Sequence, residues 1–108
     1  MSSLYSATIL EAHALGSGGS FITVPEDEYW VIRTMTTFIA GGATAGGFQV
    51  VRIDINMTIA YDSYTTGVTG AWRTFNDLRV GMSGGVEYAF FGFGPSDVGA
   101  YGYKFQLP

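Results

Sequence analysis

The chain has 108 residues and no cysteine, which is the size of one domain and excludes disulfides, thiolate zinc sites and a cysteine nucleophile. Charged residues make up 13% of it, against roughly 25% in ordinary soluble domains, while aromatic residues reach 16% and glycines number 16. Five Lys plus Arg against nine Asp plus Glu give a formal charge of −4, and the cations stand singly as Arg33, Arg52, Arg73, Arg79 and Lys104, a pattern that argues against nucleic-acid binding.

The first residues, Met1-Ser2-Ser3-Leu4-Tyr5, lack a basic segment leading into an apolar core, and no apolar run approaches a membrane span, so neither an export signal nor a membrane partner is expected. Residues 4–15 read as a first strand. It holds the single histidine, His13, two residues after Glu11, so the pair can share a strand face. No Gly-x-Ser-x-Gly elbow or comparable nucleophile accompanies it, and His13 reads as an ordinary strand residue. Gly16-Ser17-Gly18-Gly19 marks a turn, and a second strand is expected over residues 20–24.

Glu26, Asp27 and Glu28 form the one charge cluster, directly after Val24-Pro25. It reads as a solvated hairpin turn, with an arginine of a partner subunit as the alternative contact. A long strand follows over residues 29–40, with Trp30 and Ile32 on one face and Trp30 expected in the core. The glycine-rich stretch 41–47 has the small side chains of an exposed hairpin or subunit-contact loop, which makes Gly42, Ala43 and Thr44 interface candidates; a plain connection is the alternative.

From Phe48 to Asn56, Val51, Ile53 and Ile55 alternate with Arg52, Asp54 and Asn56, which predicts a half-buried strand through the whole segment. A further strand is expected over residues 57–61. Asp54, Asn56 and Asp62 could converge on a hard cation if these strands form a hairpin, but the spacing is not that of a dense calcium cage, and no metal or cofactor is expected. Shorter strands are predicted over residues 72–75, 78–82 and 86–93, punctuated at residues 67–70 and at Gly84-Gly85.

Gly92-Phe93-Gly94 begins a phosphate-binding glycine pattern, yet no helix follows to supply backbone donors. Gly94-Pro95-Ser96-Asp97 reads as a turn. In the last segment Tyr101, Tyr103, Phe105 and Leu107 share one strand face, opposite Gly102, Lys104 and Gln106. Among the aromatic residues, Trp30, Trp72, Tyr61, Tyr64, Tyr88, Phe90 and Phe91 suit a core, a sugar-stacking platform or an interface, and Trp72 and Tyr64 join the interface candidates.

Helical periodicity is interrupted throughout by Gly, Thr and β-branched residues. Many short strands with glycine-rich turns predict an all-β chain, a jelly-roll-like antiparallel β-sandwich of about eight strands forming a single domain over residues 1–108. No internal repeat is present.

The run Val24-Pro25-Glu26-Asp27-Glu28-Tyr29-Trp30-Val31-Ile32-Arg33 resembles a group of small bacteriophage virion structural proteins of the capsid-decoration or tail-accessory type. Their Val-Pro, short turn and Trp-Val-Ile-Arg strand are followed by a Trp-rich segment, an Arg-Val strand, a Gly-rich turn and a Gly-Tyr-x-Leu ending. Gly70-Ala71-Trp72, Leu78-Arg79-Val80, Ser83-Gly84-Gly85-Val86 and the stretch from Tyr101 to Pro108 are similar to these. Asp27 departs from the usual glycine of the turn, and the second Trp of the middle segment is lost or replaced by Phe75.

The resemblance implies a non-enzymatic decoration protein on the outer head surface of the virion, made in the host cytoplasm, with the major capsid protein or a tail protein as partner. Low charge adds that part of the surface is covered by other subunits, so a homo-oligomer is expected, and the analogy favours a trimer. A tail accessory protein and a carbohydrate-binding adhesin module are the alternatives. A small β-barrel hydrolase lacks a convincing acid–base pair.

Overall fold

A computed structural model describes residues 3–15, 19–39, 45–65, 72–92 and 96–107. Nine strands appear among them: β1 (Ser3–Leu15), β2 (Ser20–Thr23), β3 (Glu28–Ile39), β4 (Ala45–Arg52), β5 (Met57–Thr65), β6 (Trp72–Phe75), β7 (Val80–Met82), β8 (Glu87–Gly92) and β9 (Ser96–Gln106). They form two antiparallel sheets. One has the order β1-β9-β3-β6, with β7 pairing β3 beyond β6, and the other the order β2-β8-β4-β5.

This is the expected all-β sandwich. Trp30, Ile32, Met35, Val98 and Ala100 of the five-stranded sheet meet Phe48, Val50, Tyr88 and Phe90 of the four-stranded one, with Ile9, Leu10, Val24 and Met82 completing the core. Burial of large apolar side chains from both inner faces is what holds two sheets together. Tyr88 brings a hydroxyl into this interior, and it accepts a hydrogen bond from the Ser83 backbone N–H at 2.7 Å, so the polar atom is satisfied. Trp30 lies in the core as its strand position predicts, 6% exposed.

The strand read over residues 48–56 stops at Arg52. Ile53–Ile55 make a single 3₁₀ turn closed by Asn56 in the left-handed conformation (φ 49°), which reverses the chain into β5. The buried apolar side chains of β4 are accordingly Phe48, Val50 and Val51, the first two in the core cluster, whereas Ile53 is only half-buried and Ile55 is 54% exposed. Ile59 is the extra residue of a β5 bulge, since Val50 pairs Ala60 and Val51 pairs Thr58.

Other turn readings also shift. Ala45, Gly46 and Gly47 belong to β4 rather than to a loop, and Ser96 and Asp97 open β9 rather than close a turn. Arg33 bulges from β3, because Ile32 pairs Gly102 whereas Thr34 pairs Tyr101. On the other side of β9, Ile9 bulges from β1, between Thr8 opposite Tyr101 and Leu10 opposite Ala100. The middle strand of the sheet is therefore flanked by two bulges at one level. Gly102 lies just beyond them, where an added Cβ would collide with the Val31 carbonyl oxygen.

Candidate functional site

In β3, Trp30 and Ile32 face inward, so Tyr29, Val31 and Arg33 face outward, on the side of the sheet away from the second layer. Antiparallel pairing sets Phe105 opposite Tyr29, and Tyr103 and Gly81 opposite Val31. These residues, with Arg79 at the approach to β7, line an open groove of about 410 Å³. The Tyr29 and Phe105 rings lie 6.2 Å apart at 52°, and Tyr29 and Tyr103 are each 38% exposed. Gly81 allows this floor to exist, because any Cβ there would run into the Tyr29 phenol.

The aromatic side of the last segment thus points outward, while the inner side of β9 carries Val98, Ala100 and the ammonium of Lys104, 3.9 Å above the Trp30 ring centroid. A cation can be accommodated on that inner side because the indole face offers it a partner.

Arg33 and Arg79, separate in the sequence, line the same groove. The bulge at Arg33 presents its side chain there, and its backbone carbonyl accepts the Leu78 N–H at 3.0 Å, tying the β6–β7 connection to the same point. The Arg33 Nε is buried without a hydrogen-bond partner. Other cations are engaged: Arg52 with Asp54, Arg73 over the Phe75 ring at 5.4 Å and Lys104 on Trp30. Among the described residues no carboxylate pairs with Arg33 or Arg79. Two guanidiniums above aromatic and aliphatic walls make a place for a carboxylate borne on a partly apolar segment.

None of the interface candidates from the sequence has a described side chain. Gly42, Ala43 and Thr44 lie outside the described residues. Tyr64 pairs Gly46 near the end of β5, and Trp72 pairs Phe38 at the start of β6; their side chains also lie outside the description. Glu11 is in β1 opposite Gly99, and His13 falls at an irregularity of that strand. Of the remaining aromatic candidates, Tyr88 and Phe90 are core residues, whereas Tyr61 is exposed on the far sheet and its hydroxyl lies 3.3 Å from Ser63 Oγ. Alternation along β3 carried the signal for Tyr29, Val31 and Arg33; the pairing that adds Arg79, Tyr103 and Phe105 is not contained in any single strand.

The oxygen-ligand candidates are dispersed. Asp54 sits in the 3₁₀ turn and receives two hydrogen bonds from Arg52, at 2.8 and 3.1 Å, while Asp62 is in β5 opposite Phe48. The hydrogen bond from Arg52 holds the Asp54 carboxyl below the usual carboxylate range. Its effect on folding is present above that range and lost as the pH falls through the lowered value, and solvent screening keeps it small at this exposed site. No three metal-ligating side chains converge among the described residues. Thermal melting is expected to be the same with and without EDTA; a loss of stability on chelation, restored by calcium, would contradict this.

No protein-family model matches the chain, and no curated protein sequence does. Solved structures share its fold. The Drosophila NLP core, described in terms of pentamer formation and histone binding, superposes with a TM-score of 0.55 at 17% identity, covering 94% of this chain and 96% of that one. The coat protein of Tobacco streak virus, determined as a dimer, superposes with a TM-score of 0.50 at 13% identity, covering 99% of this chain and 86% of that one. The chain is an all-β, jelly-roll-like sandwich of the kind found in a viral coat protein and in the NLP core.

Proposed function

We propose that this protein is a non-enzymatic structural subunit of a bacteriophage particle, a decoration protein that self-associates and binds the major capsid protein on the outside of the head. The observation that carries the reading is the outer face of the five-stranded sheet, where Tyr29, Val31, Tyr103 and Phe105 surround two guanidiniums without an ion-pair partner among the described residues. A chain with so few charges leaves such a face open at a cost in solubility, and covering it with protein removes that cost. The resemblance of the segment from Val24 to Arg33 to small phage virion proteins supports the location, and the acidic balance disfavours contact with packaged nucleic acid. A trimer is the oligomer the phage analogy favours, and closed cyclic symmetry keeps such subunits from polymerising.

Mixing the purified protein with capsids that lack it is expected to give saturable binding at a fixed ratio to the major capsid subunit. Binding to isolated tails instead would make it a tail accessory protein. The exposed rings also suit a sugar, so binding to neither particle together with tight binding on a glycan array would overturn the virion reading in favour of an adhesin module.

A further inference from the structure

We propose that the Arg33–Arg79 groove receives the acidic turn at residues 25–27 of a second copy of the chain, placing the Glu26 carboxylate against the two guanidiniums. The proposal rests on the reading of the protein as a self-associating subunit and names the two surfaces that meet. One surface is short of an anion. Arg33 Nε is buried and unpartnered, and Arg79 shares its groove with no carboxylate paired to either among the described residues.

The other surface offers one on a rigid support. Pro25, Glu26 and Asp27 are all exposed, and the turn is closed by the Glu28 N–H donating to the Pro25 carbonyl at 3.0 Å. Asp27 is held from the side, its carboxylate accepting from Gln106 Nε2 at 2.7 Å and its carbonyl from the Leu107 N–H at 2.7 Å. Glu28 accepts from the Trp30 indole at 2.9 Å. Of the three acids, Glu26 is the one that makes no hydrogen bond or ion pair among the described residues. A turn already fixed in shape loses little entropy when it docks, and its single free carboxylate matches the charge missing from the groove.

The turn cannot fill the groove of its own chain. Arg33 lies five positions along β3 from Glu28, roughly 16 Å of extended strand, and the turn lies beyond the Glu28 end. A second copy is required. Because the turn of one subunit meets the sheet face of the next, the contact is heterologous, and when its rotation closes it generates a ring.

The experiment is a charge exchange followed by sedimentation velocity over a concentration series. Wild type should self-associate, and more weakly at high salt. Glu26→Arg and Arg79→Glu should each raise the dissociation constant about tenfold or more, and the double variant in one chain should bind at least about threefold tighter than either single variant. Glu26 is exposed and outside the core, so Glu26→Arg remains informative even if Arg79→Glu disturbs the fold. A monomeric wild type, single variants that associate normally, or a double variant no tighter than the singles would each overturn the proposal. If such a result comes with normal capsid binding, the turn-and-groove contact fails while the virion reading stands; if wild type also fails to bind particles, both fail.

Discussion

Trp30→Ala is expected to destabilise the domain by about 3 to 5 kcal/mol, a large part of the roughly 5 to 15 kcal/mol that holds such a domain together. The ring is almost wholly buried, opposite Met82 and Lys104 in register, and its removal leaves a cavity where both sheets meet. Two polar groups each lose one contact at the same time. The Glu28 carboxylate would no longer receive the indole N–H, and the Lys104 ammonium would lose the aromatic face on which it rests. Denaturant titration of the variant should show a lower midpoint; an unchanged melting temperature would place the ring outside the core.

Gly102→Ala is expected to cost about 3 kcal/mol although it adds one methyl group. That carbon would strike the Val31 carbonyl oxygen, with the Val31 carbonyl carbon and the Arg33 nitrogen each 3.0 Å away. All three are backbone atoms of β3, so no rotamer change relieves the clash. Nor can β9 retreat, since it is hydrogen-bonded to β1 on its other side. Gly81→Ala provides the contrast: its methyl meets the Tyr29 phenol, a side chain that can swing outward, and about 1 kcal/mol or less is expected. Equal losses in the two variants, read by chemical denaturation, would mean that β3 yields at its bulge.

Most strands were legible because glycine-rich stretches and Pro25 punctuate them, and alternation along β3 correctly assigned Trp30 and Ile32 to the buried face. Alternation misled past the end of β4. The Val51, Ile53 and Ile55 series continues through a 3₁₀ turn, where a period of two no longer has structural meaning. It also left the side of β9 undecided, since a row of Tyr and Phe suits a core as readily as an outer face. The structure buries the smaller row, Val98 and Ala100, and leaves Tyr103 and Phe105 at the groove. The groove itself was out of reach. Arg33 and Arg79 meet through long-range pairing of β3 with β7 and through a bulge, and each looks solitary in the linear chain.

The place of β9 has a consequence for biosynthesis. Among the described strands it is the last to leave the ribosome, yet it lies in the middle of its sheet, joining β1 to β3. Until residues 96–106 emerge, those two strands have no hydrogen-bonded neighbour between them, and Val98 and Ala100 are missing from the interior. Completion of the larger sheet therefore waits for β9 and is governed by slow, long-range pairing. During that interval the edges of β1 and β3 that β9 covers are open to capture by another nascent chain, which makes low expression temperature or chaperone supply the first variable to adjust when the protein is produced.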